Sequence, residues 1–256
     1  MEFGIIGGTG VTFPEILGPA KEKIVQTTYG KVKFKFEQYK EKEIYFLARH
    51  GDECKVLPHE VNYRANIAAI RDLGVKSVYA TAAVGSLNLR LKPGDLVLID
   101  QFIDFTKSRV STFGKPECVK GESLHIDMTE PYCSRLRGYV EKAAKGLELN
   151  IHKKATYVCT EGPRFETSAE IMMFRKFGGD VVGMTGVPEV VLAREVGLCY
   201  ATIALVTNYA AGISPTPLTH REVEKVMQEN AEKLQKLLMK SIEIAKDLEC
   251  GYCGRK

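Results

Sequence analysis

The sequence predicts an α/β fold, one domain built on a mixed β-sheet with helices on its faces. Three observations predict it. Short apolar runs rich in β-branched residues recur along the chain, and helical apolar spacing stands between some of them. A hairpin-like pattern over residues 26–39 adds antiparallel pairing. The length of 256 residues is enough for one large core.

The strands fall at residues 3–7, 43–48, 77–83, 95–103, 155–159, 180–184 and 199–206. A helix is expected over 59–73, where Val61, Ala65, Ile67, Ala68 and Ile70 share a helical spacing. Further helices are expected at 134–147, 168–177 and 188–196, and a long terminal one at 219–248 opened by Thr219 as its cap. Residues 107–124 are polar and irregular, with Gly114-Lys115-Pro116 in the middle; they read as a lid, a binding loop or a subunit contact, or as a mobile surface loop. There is no internal repeat and no low-complexity segment.

Composition narrows the partners. The net charge is +4 and no run of five or six like charges occurs, so nucleic acid is not an expected partner. No apolar stretch approaches the roughly 18–20 residues of a membrane span. The start, Met1-Glu2-Phe3-Gly4-Ile5, lacks a basic region followed by an apolar segment, so a cytoplasmic protein without membrane contact is expected. Seven cysteines are scattered, and only Cys250-Gly251-Tyr252-Cys253 has a motif-like spacing. No second pair or histidine cluster completes a zinc site in the sequence, so no metal is expected; reduced thiols are the default, with a tail disulfide as the lesser alternative, and bridges among Cys133, Cys199, Cys250 and Cys253 stay open.

Two groups of residues carry chemistry. Gly7-Gly8-Thr9-Gly10 directly follows the first strand, where glycines let backbone amides approach an anion. Pro14 interrupts an immediate helix, which argues against a dinucleotide fingerprint. Arg49-His50-Gly51 ends the second apolar strand, and an Arg fork matches phosphate oxygens. The other group comprises Thr160-Glu161-Gly162-Pro163-Arg164-Phe165-Glu166-Thr167, Gly183-Met184-Thr185-Gly186 and Thr207-Asn208-Tyr209-Ala210. These bring an aromatic face, a carboxylate and a carboxamide to strand ends, as recognition of a flat polar heterocycle requires. Taken singly, Arg49 also reads as a surface strand end, Glu166 as a first-turn helix carboxylate and Asn208 as a turn residue.

Several ordered segments carry a family likeness. They are Gly4-Ile5-Ile6-Gly7-Gly8-Thr9-Gly10, Ala48-Arg49-His50-Gly51, Val61-Asn62-Tyr63-Arg64-Ala65-Asn66, Pro93-Gly94-Asp95, Asp100-Gln101-Phe102-Ile103-Asp104, Glu161-Gly162-Pro163-Arg164-Phe165, Met184-Thr185 and Val187-Pro188-Glu189. Together they resemble the trimeric purine nucleoside phosphorylases, above all the methylthioadenosine phosphorylase branch, from the first strand into the terminal helix. The resemblance implies a partly barrel-like central sheet and reversible phosphorolysis of a purine nucleoside to free base and pentose 1-phosphate, in purine salvage. It implies no cofactor beyond inorganic phosphate as co-substrate, and a homotrimer or a dimer of trimers with shared sites. Carried over, Thr9, Arg49, His50, the Ala83 amide and Thr185 would hold phosphate, Met184 would lie against the ribose and Phe165 on the base. Ala82 stands where family members often have a hydroxyl, which should weaken phosphate binding modestly.

At the base end the chain departs from that branch. Adenine-specific members carry an aspartate at the position of Asn208 and a second acid two residues on, where this chain has Ala210. An aspartate accepts from a 6-amino group but repels a 6-carbonyl, whereas an asparagine donates to O6; Glu166 can accept the N1 hydrogen of a 6-oxopurine. Glu166 and Asn208 are therefore the expected catalytic pair, for inosine, guanosine or methylthioinosine. For the 5′ position, Val223 and Met227 suit a methylthio group, while His220, or His125 lent by a neighbouring subunit, suits a hydroxyl. Ordinary packing is the plain alternative for all four. Methylthioadenosine phosphorylase and a nucleoside-binding protein without phosphorolysis remain the rival readings.

Overall fold

The computed structural model describes residues 1–53, 55–114, 125–214, 218–246 and 250–253. Among these residues eleven strands join one sheet: β1 (Glu2–Gly7), β2 (Lys21–Thr27), β3 (Gly30–Tyr39), β4 (Lys42–Ala48), β5 (Ser77–Ser86), β6 (Leu96–Leu98), β7 (Gln101–Phe105), β8 (Ile151–His152), β9 (Thr156–Thr160), β10 (Val181–Gly183) and β11 (Cys199–Tyr209). Among the described residues five α-helices pack on it: α1 (Tyr63–Asp72), α2 (Ser134–Gly146), α3 (Ser168–Lys176), α4 (Gly186–Glu195) and α5 (His220–Ile244).

Strand β5 is the axis. Along one edge it pairs in parallel with β11; along the other it pairs in parallel with β1 over Ser77 to Ala80, then antiparallel with β10 at Gly85 and Ser86. From β5 the sheet runs one way through β1, β4, β3 and β2, another through β10, β9 and β7, and a third through β11, β6 and β8. Among the described residues this pairing branches and stays open, so the sheet is mixed and unclosed, flanked by helices as the single-domain α/β reading expects.

Side-chain alternation sorts the core into layers. On β11, Tyr200, Ala204 and Val206 face the layer of α1 and α4, while Cys199, Ala201, Ile203 and Leu205 face that of α2 and α5. Because both faces are covered, the central strands read as unbroken apolar runs.

Where the elements differ from expectation, local hydrogen bonds give the reason. Helix α1 starts at Tyr63, not 59, because the Asn62 side chain caps it by accepting from the Ala65 amide at 3.1 Å. The expected strand over 95–103 splits into β6 and β7. Between them the Ile99 amide donates to Thr202, the Asp100 amide donates to Ala155, and the Asp100 carboxylate accepts from the Ala155 amide. The chain thus crosses from one arm of the sheet to another.

Helix α5 is capped by Thr219 as expected but ends at Ile244. The Lys42 ammonium there donates to the carbonyls of Ile242, Glu243 (2.8 Å) and Ala245 (2.7 Å), satisfying helix-end acceptors. Residues 247–248 of the expected helix, and 115–124 of the expected lid or loop, lie outside the described residues. The terminal cysteine pair is not alone, so the expectation that nothing completes a four-ligand set is corrected. The fold brings Cys133 and Cys199 to Cys250 and Cys253, with all four sulfurs within 4.8 Å of one another. No helix among the described residues is long and apolar enough to cross a membrane.

Replacing Lys42 by Met should lower the unfolding free energy by about 1.5–3 kcal/mol, the range for hydrogen bonds to a charged group. Urea denaturation measures this. An unchanged midpoint would mean that packing alone holds the end of α5.

Candidate active site

The two neighbours on one edge of β5 leave a gap. β1 stops pairing at Ala80 and β10 begins at Gly85, and Ala82, Ala83 and Val84 between them line a cavity of about 640 Å³. The turn after β1, the end of β4, the 163–166 loop, β10, the end of β11 and the start of α5 complete its wall. Thr9, Arg49, His50, Ala83, Phe165, Glu166, Met184, Thr185, Asn208, His220 and Val223 all line it. Two expected residues do not. Met227 is buried behind Gly10, where a Cβ would come within 2.9 Å of its own, so the turn separates it from the cavity. His125 is exposed and does not line the cavity of its own chain.

One end is organised around Arg49. Its side chain is 1% exposed and its fork is already engaged: Nε and Nη2 donate to the Glu189 carboxylate, each at 2.7 Å, and Nη1 donates to the Thr81 carbonyl at 2.9 Å. Tyr200 donates to the same carboxylate at 2.6 Å. Burial works against the Arg49 charge, yet Glu189 more than offsets it and raises its pKa. The fork that the sequence reading aimed outward is therefore turned onto Glu189, and only the remaining Nη hydrogens are uncommitted. Gly8 is required here, because a Cβ would lie 2.7 Å from the Thr81 carbonyl and 3.0 Å from Nη1.

His50 sits beside this pair, its Nδ1 2.8 Å from the Val56 carbonyl. A carbonyl only accepts, so Nδ1 carries the hydrogen. Burial, then the Arg49 charge, lowers the His50 pKa, leaving Nε2 as a neutral acceptor. Thr185 occupies the N-cap position of α4 without a side-chain capping bond, while its amide donates to the Tyr157 hydroxyl at 3.1 Å.

The other end is polar in a different way. Glu166 is 8% exposed, and burial raises its pKa, opposed by the Thr160 hydroxyl donating to Oε1 at 2.6 Å. The Glu166 amide also hydrogen-bonds this carboxylate and opposes the rise, and the two oxygens together retain spare acceptor capacity. Asn208 follows a register shift between Val206 and Asn208 that re-aims the end of β11. Thr207 donates to its Oδ1 at 2.8 Å and its Nδ2 donates to the Tyr209 carbonyl at 2.9 Å, which leaves one amide hydrogen uncommitted. Ala210 also lines this end, with no second acid. Phe165 is 39% exposed and presents its ring to the cavity.

Sequence reasoning missed the residue that holds this end together. Arg109 donates through Nη1 to the Val187 carbonyl at 2.9 Å and through Nη2 to those of Thr160 (3.2 Å) and Glu161 (2.7 Å), with Nε 3.5 Å from the Glu161 carboxylate. It lies in the 107–124 segment, which reads as a lid, binding loop or subunit contact, or as a mobile surface loop, without a signal that singles out this arginine. Arg164, inside the motif, faces away and pairs with Glu170 at 2.8 Å, fastening the capping box of α3. That pairing, more than the Thr167 amide, lowers the Glu170 pKa to about 2.

A cavity with an ion-paired end opposite a carboxylate, a carboxamide and an aromatic ring defines a receptor for a small molecule with one anionic and one flat polar part. The comparisons agree with that class. The model of the Phosphorylase superfamily matches residues 2–243, and the chain belongs to this family. It is 54% identical over 98% of its length to a probable 6-oxopurine nucleoside phosphorylase of Dictyoglomus turgidum, 94% of which is covered. In Pyrococcus furiosus it matches the 6-oxopurine nucleoside phosphorylase at 51% identity (96% of this chain, 94% of the relative) and the S-methyl-5′-thioadenosine phosphorylase at 48% (98% and 95%). Among solved structures, methylthioadenosine phosphorylase from Schistosoma mansoni in complex with adenine superposes with a TM-score of 0.90 at 35% identity, covering 96% of this chain and 92% of that one.

Glu189→Ala would leave the Arg49 cation buried without its partner. A loss of about 3–5 kcal/mol is expected in denaturant unfolding, with part of it recovered when Arg49 is also replaced by Leu. Equal midpoints for wild type and Glu189→Ala would show that the pair does not hold this end of the site.

Proposed function

We propose that the protein is a purine nucleoside phosphorylase acting on 6-oxopurine nucleosides, releasing hypoxanthine or guanine and a pentose 1-phosphate. The observation that carries the base assignment is the pair Glu166 and Asn208 on one cavity wall. Glu166 keeps acceptor capacity for the N1 hydrogen, and Asn208 keeps an amide hydrogen for O6 or N7. A 6-aminopurine offers a donor where Asn208 donates and an unprotonated N1 where Glu166 accepts. The greater identity to relatives named for 6-oxopurines supports the same reading.

Phosphate would bind at the Gly8 turn, near Thr9, Thr185 and the Ala83 amide. Because Glu189 neutralises Arg49, the pocket offers oriented dipoles and the remaining Arg49 hydrogens in place of a free cation. Neutral His50 can accept through Nε2 from a protonated phosphate oxygen. Phosphate held on one side of the ribose, with Met184 against the sugar, would capture the anomeric carbon as the glycosidic bond lengthens. Asn208 would stabilise negative charge on the departing base. The reaction needs no cofactor other than phosphate.

At the 5′ side, removing Met227 from the wall leaves Val223 and Leu218 as apolar contacts among His220, Glu224 and Gln228. This rim supports a 5′-hydroxyl nucleoside ahead of methylthioinosine. His125 of a neighbouring subunit would complete the rim in a trimer or a pair of trimers, in the cytoplasm.

Phosphate-dependent base release from inosine, guanosine, methylthioinosine and methylthioadenosine, compared on one preparation, tests the assignment. Hypoxanthine and guanine should dominate; predominant adenine release would overturn the base reading, and binding without base release would overturn phosphorolysis. Asn208→Asp should shift the inosine-to-adenosine ratio of kcat/KM towards adenosine by at least about tenfold, since mispaired polar edges discriminate strongly.

The pH profile gives a separate check. Burial raises the Glu166 pKa, and the carboxylate is the form that accepts the N1 hydrogen. Inosine kcat/KM should therefore fall on acidification at a pH above the ordinary glutamate range. In Glu166→Gln the overall value should be lower and that inflection absent. Persistence of the inflection in Glu166→Gln would assign it to another group.

A further inference from the structure

Four cysteines converge at the end of the molecule away from the cavity. Cys133 occupies the N-cap position of α2, Cys199 is the first residue of β11, and Cys250 and Cys253 belong to the tail beyond α5. Their sulfurs lie within 4.8 Å of one another, and Cys133, Cys199 and Cys253 are buried. The Cys250 sulfur is 3.7 Å from that of Cys133 and 3.6 Å from that of Cys199. One sulfur nearly equidistant from two others on separate elements is the geometry of a shared centre, whereas a disulfide would draw two sulfurs to about 2.05 Å and exclude the third. All four cysteines are free thiols. Four thiolates about 2.3 Å from one ion at tetrahedral angles stand about 3.8 Å apart, close to the two separations from the Cys250 sulfur.

The surroundings suit a centre with excess negative charge. The Cys253 amide donates to the Cys250 sulfur at 3.1 Å, and Arg135 Nη2 donates to the Cys199 sulfur at 3.6 Å. The amino end of α2 faces Cys133 with its positive pole. Between the paired cysteines, Tyr252 donates to the Asp127 carboxylate at 2.9 Å and lies under the Arg194 guanidinium, 4.8 Å from ring centre to Cζ. The tail is thereby docked with both its thiols turned inward.

We propose that Cys133, Cys199, Cys250 and Cys253 form a structural four-thiolate site for a single zinc ion. Thiolates select a soft or borderline metal, and four protein ligands leave no open position for catalysis. The ion would fasten the chain beyond α5 to the starts of α2 and β11. Since β11 carries Asn208 at its other end and α5 carries His220 and Val223, the site would clamp two elements of the cavity wall from behind.

The test is metal analysis of wild-type protein purified without chelators, together with intact mass of the denatured, unreduced chain before and after alkylation. One zinc per chain, with all seven cysteines alkylated once the metal is released, is the expected result. Cys250→Ser combined with Cys253→Ser should lose the zinc and unfold at lower temperature, while initial phosphorolysis at moderate temperature stays near wild type. Cobalt exchanged into the wild-type site should show thiolate charge-transfer bands with tetrahedral d–d absorption. A chain lighter by four hydrogens that resists alkylation until reduced would establish two disulfides and overturn the proposal. So would metal-free protein with four reactive thiols and unaltered thermal stability.

Discussion

A guanidinium and a carboxylate with no solvent to share must satisfy each other, and the Arg49–Glu189 pair sets that constraint here. Burying both charges carries a desolvation cost that only close, hydrogen-bonded geometry offsets. The neighbours therefore have little freedom. Tyr200 must sit under the carboxylate, the Thr81 carbonyl must meet Nη1, and Gly8 must remain without a side chain. Four elements are fixed through one pair: the end of β4, helix α4, strand β5 and strand β11. The result is a polar end of the cavity whose dipoles are set before any ligand arrives.

The second organising feature is the gap that opens along β5 between β1 and β10. A strand edge left unpaired inside a protein exposes backbone polar groups, and these need partners of their own. A polar ligand can supply them, which is why the cavity floor lies there. The base end is held differently, by Arg109 bonding to main-chain carbonyls of the 160–161 and 184–187 segments. A close approach of Gly162 to Met184 ties the same segments, for a Cβ at that glycine would come within 2.6 Å of the Met184 sulfur. Rigid charge pairing at one end and a backbone clamp at the other hold the cavity between fixed walls.

Much of this was legible in the chain because the signals are local. Apolar runs gave the strands, helical spacing gave the helices, and Thr219 marked the start of α5. Residues at strand ends converge wherever parallel strands do, so most of the expected site could be named before its geometry was known. The differences arose where a partner far along the chain intervenes. Lys42 ends α5, Asp100 redirects one strand into two, and Asn62 begins α1 four residues later than its spacing suggested.

By itself the sequence determined the mixed α/β layering, the caps and the set of groups at the cavity, including the Glu166 and Asn208 combination. Those features depend on periodicity and on side-chain identity, both of which are present in the linear chain. The tertiary structure decided which donors remain available: the Arg49 fork is taken by Glu189, Met227 is shut behind Gly10, and four scattered cysteines meet. A burial pattern records that a face is covered but not which distant residue covers it. Hydrogen-bonding capacity, once spent on such a residue, is no longer free for a ligand.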